Sequence, residues 1–454
     1  MSMPLFERRK LSGWGRRPTE LCYMAAPETG ADLSAIVRSG SQPSYIPRGL
    51  GRSYGDAALN RAAGVIGLTR LRQIFSFDKS RGLLECEAGA SFAEIIQRFL
   101  PQGYFLPVTP GTKFVSVGGA IAADVHGKNH HSDGSLANFV SGFDLLTGSG
   151  EILHCSRSAN REVFWATVGG MGLTGIILKA QFQLRRVETA WLRVDCQKAS
   201  RLEEALETMA ATDARYQYSV AWVDCLASGR RLGRSILMQA NHATAKEPGI
   251  DARNCLQPPP KPRFKLHCDL PSFTLNSLSV RAFNSVYYRH HRDATSRLVH
   301  LEKFFYPLDA VEDWNRFYGR RGFVQYQVVL PFEGGGKALA LLLGRLAESH
   351  RASFLAVLKR FGRGNPGLLS FPMEGYTLSL DLPATHGLEP FLHDLDRITL
   401  AHGGRIYLAK DAVQKPETFA AGYPRLGHFQ KIRRELDPKG VFCSSLARRL
   451  GLAG

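Results

Sequence analysis

Three glycine-rich stretches, each beside a predicted strand, constrain the fold of this chain most. They are PRGLGRSYGD (47–56), TPGTKFVSVGGAIAADVHGKN (109–129) and VGGMGLTG (168–175). Glycine tolerates positive φ and close backbone approach, so successive N–H groups in such loops can converge on the oxygens of a diphosphate. One loop of this kind alone would more simply be a turn. Three together predict a cradle for a nucleotide.

The third stretch contains a formal G-x-G-x-x-G at Gly170, Gly172 and Gly175. In a dinucleotide-binding Rossmann unit this pattern follows a strand and opens a helix. Here it follows the helical pattern REVFWATVGG and opens the strand pattern GIILKAQFQL. The context therefore argues against an NAD-type Rossmann domain, and the sequence contains no Walker A motif.

The chain has 454 residues, of which 44% are hydrophobic and 22% charged, which is typical of a globular protein with two or three domains. Its eight cysteines are scattered without a C-x-x-C pair, so we expect reduced thiols in a cytoplasmic protein. The basic N-terminus lacks the apolar core of a signal peptide, and no apolar run is long enough to span a bilayer.

The net charge of +18 favours a polyanionic partner: nucleic acid, acidic lipid or a phosphorylated substrate. Charge alone does not choose among these partners. The basic residues are spread over all segments, and no zinc-finger, helix-turn-helix or RNA-recognition signature is present. A nucleic-acid-binding protein is therefore the less favoured class.

The pattern of elements changes near residue 187. Before it, short strands, glycine turns and short helices alternate, including a capping box at Ser91 and Glu94. Residues 188–404 alternate longer helices with strands, which predicts an antiparallel sheet covered by helices. Within this part, the proline-rich segment beginning near 246 is predicted to be a surface loop, and the chain as far as about 300 a possible mobile lid.

The segment DVHGKNHHSDG (124–134) concentrates histidines. His126 and His130 are four residues apart, the spacing of zinc ligands on a helix, but no glutamate accompanies them as in the zinc-protease motif. Gly127 and Lys128 also disfavour a helix and a second cation. No metal is therefore predicted, and a cluster that satisfies backbone groups in a turn is one alternative.

Five strings taken together resemble one family of flavoproteins. They are RGLGRSYGDAALN, TPGTKFVSVGGAIAADVHGKNHHSDGS, FVQYQVVLP, FPMEGYTLSLDLP and IYLAKDAV…YPRLGHFQKIRRELDPKGVF. They resemble the decaprenylphosphoryl-β-D-ribose 2'-oxidase family, within the vanillyl-alcohol-oxidase superfamily, from about Leu11 to the end. The resemblance implies an α+β fold: a PCMH-type FAD-binding domain (1–187), a substrate domain with an antiparallel sheet (188–404) and a C-terminal segment (405–454) that returns to the first domain.

The resemblance also implies the cofactor, FAD. Many superfamily members attach FAD through a histidine in the first loop, and Arg52 at that position cannot form the link, so FAD is expected to be noncovalent. The implied cofactor residues are Arg48, Gly49, Leu50, Gly51, Arg52, Ser53, Tyr54, Gly55, Asp56, Gly111, Ser116, Val117, Gly118, Gly119, His126, Gly127, Lys128, Asn129, Gly175, Ile176, Ile177 and Tyr407.

The implied reaction removes a hydride from C2' of a ribose linked to polyprenyl phosphate. A base or relay must take the hydroxyl proton as the hydride leaves. Lys410, in the string AKD, is expected beside the flavin and that hydroxyl, where a cation would stabilise negative charge on the reduced ring. Tyr407 would border the flavin from the same strand. His126 would act as a proton relay or as a structural contact.

Six residues are implied as substrate contacts: Lys128, Gln325, Gln327, Lys359, Thr377 and Ser379. The lysines are candidates for the phosphate, and the two glutamines face one side of a strand, where an exposed polar strand face is the alternative. Ser379 stands where the best-known members carry cysteine, so capture by thiol-directed inhibitors is not expected. Thr377 replaces an amide, which leaves the polarity of the pocket open.

The resemblance further implies a separate NAD(P)H-dependent ketoreductase that completes an epimerisation. The basic surface would make peripheral contact with an anionic membrane. A soluble sugar-alcohol or aldonolactone oxidase of the same superfamily is the alternative enzyme, and its acceptance of free polyols would distinguish it.

Overall fold

We describe the protein from a computed structural model, in which residues 5–251, 253–258, 264–271 and 274–452 are described. The described residues of the first part form eleven strands and five α-helices. The strands are Glu7–Ser12 (β1), Thr19–Ala25 (β2), Tyr45–Arg48 (β3), Gly64–Gly67 (β4), Ile74–Asp78 (β5), Leu83–Glu87 (β6), Tyr104–Phe105 (β7), Val140–Leu146 (β8), Ile152–Ser156 (β9), Ile176–Gln183 (β10) and Arg185–Arg186 (β11). The helices are Gly30–Ser39 (α1), Phe92–Phe99 (α2), Val117–Ala122 (α3), His130–Asp133 (α4) and Arg161–Thr167 (α5).

These elements form two main sheets. The first has the order β1-β2-β4-β3, with β2, β4 and β3 parallel, and the second is antiparallel with the order β5-β6-β10-β8-β9. The predicted capping box is confirmed, because the Ser91 hydroxyl accepts from the Glu94 N–H at 3.1 Å and the Glu94 carboxylate accepts from the Ser91 N–H at 2.9 Å. It begins α2, whose apolar face is buried in the largest core cluster.

The described residues of the second part form nine strands and five α-helices. The strands are Trp191–Ala199 (β12), Tyr218–Val223 (β13), Ser235–His242 (β14), Phe264–Lys265 (β15), Ala294–His300 (β16), Val311–Glu312 (β17), Phe323–Leu330 (β18), Ala356–Phe361 (β19) and Gly375–Pro383 (β20). The helices are Leu202–Thr212 (α6), Ser277–His290 (α7), Leu301–Phe305 (α8), Phe332–Glu348 (α9) and Leu388–Ala401 (α10). The chain closes with Arg405–Ile406 (β21), Pro416–Gly422 (α11), Leu426–Leu436 (α12) and Ser445–Arg449 (α13).

One antiparallel sheet of eight strands dominates the second part, in the order β16-β12-β14-β13-β19-β20-β18-β21. Leucine-rich faces of α9 and α10 pack on it and form a second core cluster. The predicted α+β class, with a large antiparallel sheet after the nucleotide-binding part, is therefore confirmed.

The C-terminal segment contacts both parts. β21 pairs with β18 at the edge of the large sheet, and beyond it the Tyr54 N–H donates to the Ala409 carbonyl at 2.9 Å. The Cys443 N–H likewise donates to the Tyr45 carbonyl at 2.9 Å. The domain boundaries at 187 and 404 stay predictions.

The region predicted as a lid, 246–300, includes residues 252, 259–263 and 272–273, which lie outside the described residues. Around them the chain forms the strands β15 and β16 and the helix α7. None of the helices in the described ranges is both long and apolar enough to cross a membrane.

Candidate active site

A cavity of about 380 Å³ lies between the glycine loops and the eight-stranded sheet. Most of the predicted site residues line it. On the side of the loops these are Gly49, Leu50, Gly51, Arg52, Ser53, Tyr54, Gly111, Ser116, Gly118, Gly119, His126, Gly127, Lys128, Gly175 and Ile177, and on the side of the sheet Gln325, Gln327, Lys359, Ser379, Tyr407 and Lys410. Gly49 and Lys410, which are 361 positions apart in sequence, thus line the same cavity.

The first glycine loop presents its backbone to the cavity. Within the described part of the chain, the N–H groups of Leu50, Gly51, Arg52 and Ser53 donate no hydrogen bond to another protein group. Gly51 has a φ of 67°, which other residues adopt at a cost. Successive free N–H groups in a loop of this kind suit a diphosphate.

The second glycine loop lies directly against the first. A Cβ at Gly49 would overlap the Ser116 hydroxyl, and a Cβ at Gly118 would lie 2.9 Å from that of Ala88. The two loops and the strand behind them can therefore pack this closely only because Gly49 and Gly118 have no side chain. The cradle and its free donors fit the diphosphate of FAD.

Six predicted cofactor residues do not line the cavity: Arg48, Gly55, Asp56, Val117, Asn129 and Ile176. Three of them support the first loop from behind. The Arg48 guanidinium donates to the carbonyls of Ser12 at 2.7 Å and Ala58 at 3.1 Å. Gly55 packs against the carbonyl of Asp411 so closely that a Cβ would overlap it.

Asp56 accepts two hydrogen bonds from the Arg449 guanidinium, at 2.7 and 2.8 Å, and Asp411 accepts a third at 2.9 Å. This buried network joins the first loop to α13 and to the segment after β21. Val117 and Ile176 are core residues with no measurable exposure. The resemblance implies both as cofactor residues, but their side chains are buried in the core.

Arg52 is held beside the cavity by aromatic rings. Its guanidinium carbon lies 3.7 Å from the centre of the Trp14 ring and 5.3 Å from that of Phe114, and its Nε has no hydrogen-bond partner. No cysteine is among the described residues that line the cavity. At the position of the flavin-linking histidine, the chain therefore places a group that cannot form that link.

Two glutamines of β18 extend towards the cavity, and both are buried, so the alternative of an exposed polar strand face is wrong. Gln327 Nε2 donates to His126 Nε2 at 2.9 Å and to the Thr377 hydroxyl at 3.2 Å. Gln325 Nε2 donates to the carboxylate of Asp381. Thr377 itself does not line the cavity; its hydroxyl fixes the orientation of Gln327 instead.

Three lysines line the same cavity without a salt bridge among the described residues. Burial lowers the pKa of Lys128 to about 7, with a further contribution from the Lys359 cation. Burial alone lowers the pKa of Lys359 to about 8. Lys128 donates to the Phe304 carbonyl, and its Nζ lies 4.1 Å from the centre of the Phe304 ring. Buried cations of this kind favour an anionic ligand.

Lys410 is the third lysine of the cavity, and its Nζ lies 3.8 Å from the centre of the Tyr54 ring. Burial lowers the pKa of Lys410, the carboxylate of Asp381 opposes the change, and the Lys359 cation adds to it. The amine can therefore hold or release a proton near neutral pH. A general acid or base at an oxidised hydroxyl needs that property.

Asp381 is a residue that the sequence analysis missed. It is 1% exposed, its Oδ2 has no partner, and burial raises its pKa while Gln325 and Lys410 lower it. It lies two residues after Ser379 in β20 and opposite Gln325 in the register. Because alternate residues of a strand share a face, the spacing from Ser379 is the signal that could have identified it.

Tyr407 and Lys410 do not share a strand, so that expectation is wrong. β21 ends at Ile406, and the Lys410 N–H donates to the Tyr407 carbonyl at 2.9 Å in the turn that follows. The Tyr407 hydroxyl donates to the Ala123 carbonyl at 2.7 Å. The turn, rather than a strand, directs both side chains to the cavity.

His126 and His130 do not share a helix either, since α4 begins at His130. Burial, with the nearby cations of Lys359 and Lys410, lowers the pKa of His126 well below its ordinary value. Burial lowers that of His130 to about 3. His126 Nε2 is occupied by Gln327, and among the described residues no group of three or more His, Cys, Asp and Glu side chains could hold a metal ion.

Comparison with known proteins identifies the family of the chain. A family model for an FAD binding domain matches residues 23–156, and one for D-arabinono-1,4-lactone oxidase matches residues 378–450. Decaprenylphosphoryl-β-D-ribose oxidase of Mycolicibacterium smegmatis is 38% identical over 98% of both chains. The chain belongs to the decaprenylphosphoryl-β-D-ribose oxidase family. Its resemblance to that family from sequence is therefore confirmed, as is its class: an FAD-dependent oxidoreductase.

More distant members of the superfamily match shorter segments. L-gulonolactone oxidase of Scyliorhinus torazame is 31% identical over 35% of this chain and 36% of its own. Cytokinin dehydrogenase 7 of Oryza sativa is 28% identical over 42% of this chain and 39% of its own. A near full-length match to one family and partial matches to others favour the first family over a sugar-alcohol or aldonolactone oxidase, and an enzyme over a nucleic-acid-binding protein.

Proposed function

We propose that the enzyme oxidises the 2'-hydroxyl of a ribose linked to polyprenyl phosphate, with noncovalently bound FAD. The observation that carries the proposal is the composition of the cavity. A single space contains the cradle of free N–H groups, three buried lysines and, farther along the large sheet, an apolar end formed by Val220, Trp222, Met238, Leu355 and Val357. A phosphate, a sugar and a hydrocarbon chain each find matching chemistry there.

The apolar end supports a lipid substrate over a free aldonolactone. A polyol buries little hydrocarbon, and apolar side chains beside it would gain nothing from its hydroxyl groups. A prenyl chain gains free energy from each methylene that such side chains remove from water. An aldonolactone substrate would therefore leave the apolar side chains at this end of the cavity without a ligand to contact.

The assignment of roles follows from chemistry and position. Lys128 and Lys359 are the groups suited to the phosphate, because burial leaves their cations without a carboxylate partner. Gln325, Gln327 and Ser379 supply hydrogen bonds for the sugar hydroxyls. Bound FAD would accept the hydride.

Side chains of the protein accept the proton of the substrate 2'-hydroxyl. Lys410, with Asp381 nearby, can take the hydroxyl proton as the C2'–H bond breaks, since the pKa of the amine is lowered into the range where it exchanges protons. His126 is neutral, and because its Nε2 accepts from Gln327, its proton is on Nδ1, which has no hydrogen-bond partner among the described residues. We assign it an orienting contact rather than a proton relay.

The product would be a 2'-keto sugar, and a separate NAD(P)H-dependent ketoreductase would complete a ribose-to-arabinose epimerisation of the kind used in arabinan synthesis. Since the substrate is a lipid, we also propose a cytoplasmic enzyme in peripheral contact with the membrane surface.

Anaerobic mixing of the yellow holoenzyme with a prenylphosphoryl ribose tests the proposal. We expect loss of flavin absorbance with formation of one equivalent of keto sugar. Prenyl phosphate without ribose is the control and should leave the spectrum unchanged. Equal or faster bleaching by free aldonolactones or alditols would show that the alternative oxidase is correct.

Denaturation of the holoenzyme tests the attachment of the cofactor. It should release FAD into the supernatant, and flavin that stays with the precipitate would contradict noncovalent binding.

A further inference from the structure

Helix α7 carries large apolar side chains on its outer face. Leu278 is 75% exposed and Val286 is 55% exposed, and Ala282 lies between them. These residues are four apart, so they form one stripe along the helix. Apolar side chains at such exposure cost free energy in water unless a partner covers them.

The inner face of α7 is bound firmly to the large sheet. Val280 and Asn284 are buried, and the Asn284 amide donates to the carboxylate of Asp224 at 2.8 Å. The ring of Tyr287 lies 4.8 Å from that of Trp222, and both residues line the apolar end of the cavity. The helix therefore stands between the surface and that end of the cavity.

Cations accompany the apolar stripe. Arg281 and Arg289 are exposed on the adjacent stripe of the helix, Arg292 follows just after it, and residues 277–290 contain no aspartate or glutamate. Neither Arg281 nor Arg289 forms a salt bridge within the described residues.

On two other surface helices, arginines form salt bridges. Arg345 on α9 and Arg397 on α10 both pair with Asp394. Helix α12 also exposes cations without a salt bridge among the described residues, Lys431 and Arg434, but none of the large apolar side chains exposed in the described residues lies on α12. What distinguishes α7 is the combination of such cations with exposed Leu278 and Val286.

We infer that the outer face of α7 docks on an anionic phospholipid bilayer. Leu278 and Val286 enter the interface between headgroups and acyl chains, while Arg281 and Arg289 contact lipid phosphates. A protein partner would also cover apolar residues, but acidic lipid matches both stripes along the whole helix. The inference rests on the proposed function, because it supplies the surface from which a prenyl lipid enters.

The position of Tyr287 connects the docking surface with the apolar end of the cavity. A prenyl chain that leaves the bilayer beside α7 meets Tyr287 and Trp222 at once, without crossing water. Transfer between two apolar environments avoids the cost of exposing the chain, which grows with each methylene.

Co-sedimentation of the holoenzyme with vesicles tests the inference. We expect the wild type to bind phosphatidylcholine vesicles that contain phosphatidylglycerol, and to bind pure phosphatidylcholine vesicles much more weakly. The variant L278S/V286S should lower the partition coefficient roughly tenfold, since two apolar side chains no longer enter the interface. R281Q/R289Q should lower it by roughly thirtyfold at low salt and by less as salt is added.

Matched controls lie on other helices. Leu341 is 50% exposed on α9, and L341S removes a similar side chain from a different surface. Lys431 and Arg434 are exposed on α12, and K431Q/R434Q lowers the net charge by the same two units as R281Q/R289Q. Both controls should bind acidic vesicles like the wild type. A wild type that ignores both kinds of vesicle, or controls that lose as much binding as the α7 variants, would overturn the inference.

Flavin bleaching by a short-chain, water-soluble prenylphosphoryl ribose separates this inference from the proposed function. The α7 variants should bleach at the wild-type rate in solution. If the wild type fails to bleach, the proposed function is wrong, whereas normal bleaching with unaltered vesicle binding by L278S/V286S contradicts only the docking surface.

Discussion

The two walls of the cavity present different parts of the polypeptide, backbone on one side and polar side chains on the other. On one side, the loops at 49–53 and 116–119 present backbone, and a Cβ at Gly49 or Gly118 would already collide with a neighbour. On the other side, β18, β19 and β20 present long side chains that end in amides, a hydroxyl and an amine. The first wall can bind by shape and N–H donors, and the second by charge and proton exchange. Changes on the two walls should therefore separate cofactor loss from loss of turnover.

Replacement of Lys410 by alanine should have the largest effect on activity and should leave the cofactor in place. We expect kcat to fall by about 10²–10³-fold, because the group that exchanges the substrate proton is lost. The purified variant should remain yellow, with a wild-type ratio of absorbance at 450 and 280 nm. Lys431→Ala on α12 is the control. Turnover near that of the wild type would remove Lys410 from its proposed role.

Removal of Arg449 tests the support of the backbone wall. Arg449→Ala leaves Asp56 and Asp411 buried without their cation, which should lower the free energy of unfolding by about 3 kcal/mol. Thermal or urea unfolding of the holoenzyme measures the change, with Arg434→Ala on exposed α12 as the control. Equal stability of the two variants would show that the network does not support the loop.

Substitution of Gly49 by valine should weaken the binding of FAD rather than slow the chemical step. Its Cβ would displace Ser116 and separate the two glycine loops. We expect the affinity for FAD to fall by at least tenfold, which corresponds to about 1.4 kcal/mol, and flavin to be lost from the variant during gel filtration. The flavin-to-protein ratio after gel filtration measures it.

Gly344→Ala is the matched control for Gly49→Val, because nothing lies within 4 Å of an added Cβ at Gly344. It should retain full flavin. A Gly49→Val protein that also retains full flavin would show that the close approach of the loops is not needed for binding.

Asp381→Asn should change the pH dependence of turnover more than its maximum. The Asp381 carboxylate raises the pKa of Lys410 against the opposing effect of burial, so its removal lowers that pKa further. Because Lys410 takes the substrate proton as the neutral amine, activity rises as pH rises through its pKa, and the variant should reach full activity at lower pH than the wild type. We expect roughly fivefold higher kcat at pH 6 and little change at pH 8.

The pH profile of kcat under saturating substrate measures this shift. Asp394→Asn on the surface of α10 is the control, and its profile should match that of the wild type. Loss of activity at pH 8 without a gain at pH 6 would contradict this role and indicate that the ammonium is the active form.

Ser379→Cys should have the smallest effect on turnover, less than about twofold, because the hydroxyl is a contact and not a proton-exchanging group. The new thiol lies in the cavity, where the wild type has no cysteine among its described lining residues. Thiol-directed reagents should therefore inactivate the variant and spare the wild type. Cys268, which is exposed, serves as the internal control for labelling outside the cavity.

The accuracy of the sequence predictions differs between the walls for a physical reason. Glycine loops such as 49–53 are local: the absence of side chains dictates the backbone, and the neighbouring residues supply the donors. Asp381 was missed because its importance comes from Gln325, which lies 56 residues away and pairs with it only in the folded sheet. Thr377 was assigned to the substrate, but it contacts Gln327, which a strand pattern alone does not show.

By itself, the sequence determined the class of the protein. The spacing of its glycines, the histidine-rich segment and the AKD string identified a flavoprotein family, because such motifs depend on residues that are neighbours along the chain. Only the tertiary structure decided the pKa of Lys128, Lys359 and Lys410, the pairing of Asp381 with Gln325 and the exposure of α7. Burial and long-range contact set those properties, and both exist only after the chain has folded.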